Sequence, residues 1–446
     1  MFTGTLGRFS RLTYLNILVI GVVLERWVNY IWFEVPVVWG QPGNVLVPFA
    51  FFAFAFALWL RLPLHPLRPN QLTTFLVMMV IAWLVHLLLY RYHGDAFNYS
   101  ALLYVPILLL LLIKPPSVGD VWASSLVFAW SVTIVLVVTR ALEMTGLLGI
   151  KEQSPYVIRF DESNYFLPLN DFLGIEGRWP GPFGHNGDTS MMAALIIIIA
   201  CVHWTRASWV FLVVGAGTLL LTNGRASIGA VVAGLVVFAM FTRVGRVGQL
   251  PAKLRVSVGS VLLLAGALFM FARPAGLTGR QTIWPSFLEL WAASPWLGVG
   301  SGGIANGNEI SQRFEHAHSL YIDELVRWGL IGFIAQFAAL GFGLYLAGKA
   351  ATKGSPGPLA VLITYFVTGI TEPRNNWIVP SATGFLVILM VVAAASYLAN
   401  ASTQSALDSD AGDSKPQPGA AKLSGEDNSS SGIDETQGTG RSPYIE

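Results

Sequence analysis

The sequence predicts an all-α polytopic membrane protein of about 12 transmembrane helices with two longer extracytoplasmic loops. Three observations lead there. Charged residues make up 12% of the 446-residue chain, about half the roughly 25% of soluble domains. With Gly counted in place of Tyr the apolar share is about 61%, against roughly 45–50% for soluble domains. Apolar runs also recur, one after another, up to about residue 400. A chain with so few charges cannot coat a globule in water, so most of its surface must face lipid.

One helical crossing of the hydrocarbon takes about 20 mostly apolar residues. Candidate spans lie near residues 12–33, 44–60, 72–90, 99–113, 121–142, 190–203, 207–222, 226–242, 256–272, 329–348, 357–370 and 380–398. The first reads as a retained span, because no small-residue cleavage site follows it. Lys and Arg near span ends favour the cytoplasm. With the N-terminus inside, the inner loops hold Arg8, Arg11, Arg61, Arg68, Lys114, Arg206, the cluster Arg243, Arg246, Lys253 and Arg255, and Lys349 and Lys353. Every inner loop is then basic. Two outer segments, about 143–189 and 273–328, exceed the 12–15 residues beyond which loops usually have a task. The organisation expected is therefore a membrane domain over residues 1–399 and a tail over 400–446. That tail is rich in Ser, Gly, Asp and Pro, too poor in apolar side chains to fold, and reads as disordered and cytoplasmic.

Several function classes drop out. A net charge of +2 leaves no basic face for nucleic acid. Cys201 is the single cysteine and stands in an apolar run, so there is neither a disulfide framework nor a thiol metal cluster. GVGSGG at 298–303 fits GxGxxG in letters, but no strand–helix unit surrounds it, and it reads as a source of tight turns. The acidic residues outside form no DxD pair, so no metal and no cofactor is expected. Glu25, Arg26, Arg140 and Glu143 are the charges set into or closing spans, where charge is costly and usually paired or functional. Glu25 and Arg26 are adjacent and point apart on a helix.

The informative group is external. Arg178 stands in GRWPGPFGHNGD with His185 and Asn186 after it. Arg225 stands in LTNGRASIG at the outer start of a span, Arg280 in TGRQTIW, and His316 and His318 in FEHAHSLYIDELVRWGLIG. They come from four separate stretches, and the charge-derived topology puts all of them on the outer face. A lone interfacial Arg often serves only as a lipid anchor, and a lone His is commonly a satisfied hydrogen-bonding group. Together they are a different matter. Guanidinium forks hold phosphate bidentately and keep their charge, and imidazole suits proton transfer near neutral pH. The combination at a bilayer surface points to displacement on a lipid-linked phosphate or diphosphate.

These residues carry a resemblance. HAHSLYIDELVRWGLIG is similar to the H[NSQ]-x9-G signature of the O-antigen ligase and polymerase superfamily, through His318, Ser319 and Gly329. TGRQTIWPSFLELWAASPWLGVGSGG resembles its Gly-Arg…Trp segment (Arg280, Trp284) followed by Pro-x-x-Gly-x-Gly (Pro295, Gly298, Gly300). NGRASIG resembles its short Arg motif, and RWPGPFGHN its R-x-x-G-x-F-x-x-N element. The likeness covers roughly residues 170–335, in the family order. His185 replaces the usual Pro, Gly-Arg-Ala replaces Ser-Arg-Gly, and His316 adds a second candidate base.

The resemblance implies a GT-C-like helical fold and a glycosyl transfer, metal-independent and inverting, at the outer face of the cytoplasmic membrane. The donor would be a glycan on undecaprenyl diphosphate, and the acceptor a hydroxyl on a glycan, lipid or protein. Arg225 and Arg280 would hold the leaving diphosphate and His318 would be the base, with Arg178, His185, Asn186 and His316 supporting substrate. Within the family a ligase, a polymerase and a protein O-glycosyltransferase all fit this sequence. From another class, a lipid-linked glycan transporter fits the span number. Transporters, however, place their charges near the midplane between repeated halves, and neither feature is seen here.

Overall fold

The computed structural model describes residues 14–25, 27–28, 46–62, 70–95, 102–148, 179, 181–183, 186–222, 224–242, 280–314, 316–370 and 381–413. Among them every regular element is helical. In chain order these are α1 (Tyr14–Glu25), α2 (Leu46–Leu60), α3 (Gln71–His93), α4 (Tyr104–Ile113), α5 (Val118–Met144), α6 (Asn186–Val202) and α7 (Ser208–Thr222). They continue as α8 (Arg225–Phe241), α9 (Arg280–Ala293), α10 (Gly300–Ala305), α11 (Glu309–Phe314), α12 (Leu320–Thr352), α13 (Gly357–Gly369) and α14 (Ala382–Asp413).

Among the described residues four stretches are long and apolar enough to cross a membrane: Gln71–His93, Val118–Met144, Leu320–Thr352 and Ala382–Thr403. The remaining apolar helices run 10–17 residues, short of the roughly 20 that a perpendicular crossing takes. The segment expected near 256–272 lies outside the described residues, and each of the other expected spans falls on a helix. Helix length thus carries four crossings, and the count of twelve rests on the sequence.

Burial shows which helices are central. In α6 every residue from Gly187 to Ala200 is buried, as expected of a helix apolar on all sides. The stretch Phe385–Leu398 of α14 contributes a similar run to the same core. The outward faces are apolar as well. Val77, Ile81, Leu84 and Leu88 form an exposed stripe on α3, as do Trp130, Ile134 and Val137 on α5 and Trp209, Val210 and Val213 on α7. A continuous apolar exterior of this kind is what lipid covers and water does not.

The helix ends are closed by local chemistry. Asn70 caps α3 through its side chain to the Thr73 N–H at 2.9 Å, and Ser117 and Asp120 form a reciprocal capping box at the start of α5. Lys114, counted above only as an inner-loop charge, is buried and donates to the carbonyls of Trp59 and Leu62 at the end of α2. It serves as the cap of another helix.

Side-chain bonds tie the ends of the helices into two layers. In one, Tyr14 meets the Lys114 carbonyl, Ser396 the Pro116 carbonyl and Tyr397 the Lys353 carbonyl. In the other, Trp179 joins Glu143 at the end of α5 to the Leu221 carbonyl at the end of α7. Ser190 of α6 meets Ser227 of α8, and Tyr321 of α12 meets the Phe366 carbonyl of α13. The up-and-down alternation read from charge therefore gathers the expected outer ends together.

Two boundaries differ from expectation. α12 begins at Leu320 rather than near 329, and it passes through Gly329 with φ 63° and ψ −170° instead of starting there. The helix α14 continues to Asp413, past the residue 400 at which the tail was expected to begin. Ala and other helix-tolerant residues over 401–411 keep helical propensity after apolarity has ended. Residues 401–413 belong to a second unit, Ala401–Glu446, and the tail beyond 413 lies outside the described residues.

Candidate functional site

Residues 280–328, expected as an extracytoplasmic loop, are a helical unit with its own small core. Ile283 and Phe287 of α9, Ile304 of α10, and Ala317 and Val326 are buried together, with Trp284, Leu290 and Phe314 packed against them. The 283–287–290 spacing is helical, and it puts the apolar face of α9 inward. The first turn of α9 then lies beside the turn that precedes α12. The two helices run in the same direction, tied at both ends.

At the near end, Arg280 opens α9 and its Nε donates to the His318 carbonyl at 3.4 Å. One turn on, Trp284 Nε1 donates to the Ala317 carbonyl at 3.0 Å. The Ala317 N–H donates to Asp323 Oδ1 at 3.2 Å, and Arg327 Nε holds Asp323 Oδ2 at 2.8 Å. His318 has φ 49° and is the one non-glycine residue at positive φ among the described residues. Such a backbone is uncommon for an L residue and persists only where its surroundings enforce it. The His316 and His318 rings meet edge to face, centroids 4.2 Å apart, and Phe314 lies against His318 on another side.

At the far end, the Pro-x-x-Gly-x-Gly run docks on the break in α12. Leu330 N–H donates to the Pro295 carbonyl at 2.9 Å, and Val299 N–H to the Val326 carbonyl at 2.9 Å. Gly298 and Gly329 both have positive φ, and a Cβ on either would sit 2.3 Å from the backbone oxygen of the opposing strand of chain. Only two glycines allow this approach. Arg327 also donates to Ser301 Oγ at 2.9 Å, while Asp95, just beyond α3, accepts from the N–H groups of Ser301 and Gly302. GVGSGG is therefore a turn and a short helix start that fasten α3, α9 and α12 together.

Arg225 sits in a second group. It is the first residue of α8, after Gly224, whose missing Cβ lets the turn lie against Ser190 of α6. Ser190 and Ser227 share a hydrogen bond of 2.9 Å. Gly181 (φ 65°) packs against Thr189, and Trp179 Nε1 reaches Glu143, which also takes Arg140 at 3.3 Å. Arg140 and Glu143 are thus a structural pair that seats this segment. α13 packs against both α8 and α12 and so bridges the two groups. Asn186 opens α6; Arg178 and His185 lie outside the described residues.

The stretch that holds these residues is also the one that matches a known family. Residues 191–337 match the family model described as O-antigen ligase. Over this stretch the chain is similar to an O-antigen ligase. No match is found among curated proteins. The matched stretch spans about a third of the chain and takes in Arg225, Arg280, His316 and His318, whereas Arg178, His185 and Asn186 precede it.

The structure brings Arg280 to the His318 turn, sets the His316 and His318 rings together, and places Arg225 at the start of α8, which α13 links to α12. Sequence reasoning passed over Asp323, Arg327 and Asp95. For Asp323 and Arg327 a signal existed, since DELVR places opposite charges at i and i+4. Asp95 and Ser301 are 206 residues apart, a separation that no local pattern announces. Another pair was also missed. His86 of α3 and Glu324 of α12 are buried against each other, with His86 Nδ1 2.7 Å from the Ala82 carbonyl. The carbonyl can only accept, so Nδ1 carries a proton. The Nε2 contact is then imidazolium to carboxylate, or neutral imidazole to carboxylic acid.

Proposed function

We propose that the protein is a glycosyltransferase that moves a glycan from undecaprenyl diphosphate to an acceptor hydroxyl at the outer face of the cytoplasmic membrane. The observation that carries this reading is the contact of Arg280 with the His318 turn: a permanent cation and a candidate base held side by side. His318 takes the proton of the acceptor hydroxyl, and the oxygen attacks the anomeric carbon. The bond from that carbon to the diphosphate oxygen breaks, and the diphosphate leaves with the electron pair. Charge grows on the leaving group, where Arg280 and Arg225 stabilise it as preorganised cations, without a metal. A single displacement inverts the anomeric centre. Arg178, His185, Asn186 and His316 contribute to holding substrate.

A ligase and a polymerase share this chemistry and differ in the acceptor. The test is acceptor-dependent release of undecaprenyl diphosphate by the purified protein in nanodiscs, without divalent metal, with product length separating the two. Arg280→Ala and His318→Ala are each expected to lower the rate by about a hundredfold or more. Transfer at the wild-type rate in either variant refutes the assignment. Movement of the donor between leaflets without release would make the protein a transporter instead.

A further inference from the structure

The turn 316–318 is held by side chains rather than by a backbone ladder. The Ala317 N–H goes to Asp323, the Ala317 carbonyl takes the Trp284 indole, and the His318 carbonyl takes Arg280. These three side chains bracket the one described non-glycine residue at positive φ. A β- or α-region backbone at His318 would swing its ring by a large angle, and the uncommon conformation needs an external cause. Asp323 is that cause from the α12 side. Its carboxylate is itself fixed by Arg327, which is anchored in turn by Ser301 and, through that segment, by Asp95.

We infer that Asp323 and Trp284 are positioning residues that fix the His316–His318 turn and so aim the His318 ring at the acceptor, an inference that rests on His318 being the base as proposed above. Neither residue takes part in the bond changes. Both act through the Ala317 peptide, and because Arg280 rests on the same turn, one disturbance moves base and leaving-group cation together. Effects on turnover should therefore exceed effects on donor binding. A shift of about 1 Å in a reacting group can lower a rate by around a hundredfold.

The test uses the full chain in nanodiscs and two independent substitutions on one peptide group. Trp284→Phe keeps the ring in the small core and removes only the N–H. Asp323→Ala removes the acceptor of the Ala317 N–H, and Asp323→Asn restores an oxygen at that place. The expected result for Trp284→Phe and Asp323→Ala is a kcat lowered by about tenfold to a hundredfold, with KM for the donor within about threefold. Amide exchange at Ala317, read by mass spectrometry, should quicken in Asp323→Ala, and Asp323→Asn should recover most of both losses. Wild-type kcat in Trp284→Phe and Asp323→Ala, with His318→Ala inactive, overturns the positioning role alone. Wild-type kcat in His318→Ala overturns the base assignment and the inference built on it. Should Asp323→Ala fail to fold, Trp284→Phe decides the matter, since a wild-type rate there with His318→Ala inactive refutes it.

Discussion

Gly329 offers the sharpest check on the architecture, because its role follows from two features of its geometry. Its backbone lies at φ 63°, ψ −170°, a region that is essentially reserved for glycine and costs other residues about 1–3 kcal/mol. Its absent Cβ would meet the Trp296 carbonyl oxygen at 2.3 Å and the Gly298 nitrogen at 2.5 Å. Both are backbone atoms that cannot rotate away, and overpacking of this sort adds roughly 1–3 kcal/mol. Gly329→Ala is therefore expected to destabilise the domain by about 2–6 kcal/mol. At roughly 2 °C per kcal/mol for a large domain, the apparent Tm should fall by about 4–12 °C. The assay is thermal unfolding in detergent followed by tryptophan fluorescence, and Trp296 and Trp328 flank the break. Gly341→Ala on the same helix is the control. A Cβ there meets nothing within 4 Å, and Gly to Ala inside a helix gains up to about 1 kcal/mol. Equal Tm values for wild type, Gly329→Ala and Gly341→Ala would refute both the close approach and the break.

Two other substitutions probe the supports around the site. Removing one partner of the buried His86–Glu324 pair, as in Glu324→Leu, is expected to cost about 3–5 kcal/mol, while the double change His86→Leu, Glu324→Leu costs far less; the thermal-stability cycle measures the difference, and additive losses would show that the two do not interact. Trp179→Phe removes the 2.8 Å bond to Glu143 and keeps the ring. A loss of about 1.5–3 kcal/mol is expected for a bond to a charged group, together with reduced transfer if the segment carrying Arg178 is seated by it. Unchanged Tm and rate would remove Trp179 from that role.

Much of the fold was legible because the bilayer imposes it. Runs of apolar residues marked the helices, and the Arg and Lys count gave an alternation with which the bonds of Trp179, Ser190 and Tyr321 between helix ends agree. What escaped was built by other means. α9 carries its apolar residues at 283, 287 and 290, a helical period over only 14 residues, too short for a scan tuned to spans. The candidate Arg and His residues stood out by type and motif, since few chemistries use a guanidinium and an imidazole at a membrane face. The residues that hold them were not. Asp95 reaches Ser301 across 206 residues, and Gly298 meets Gly329 through contacts of backbone alone.

The spacing in His-Ser-x9-Gly acquires a physical meaning from these contacts. Between Ser319 and Gly329 the chain is one rod of helix rising about 1.5 Å per residue. α9 lies alongside it in the same direction. At one end Arg280 and Trp284 bind the turn that holds His318, and at the other Pro295 and Trp296 bind the residues after Gly329. Two rods fastened at both ends fix each other's register. One residue more or fewer in either would turn the side chains beyond it by about 100° and separate His318 from Arg280. The glycine is thus remote from the chemistry and still sets its geometry, because it lets the far fastening close.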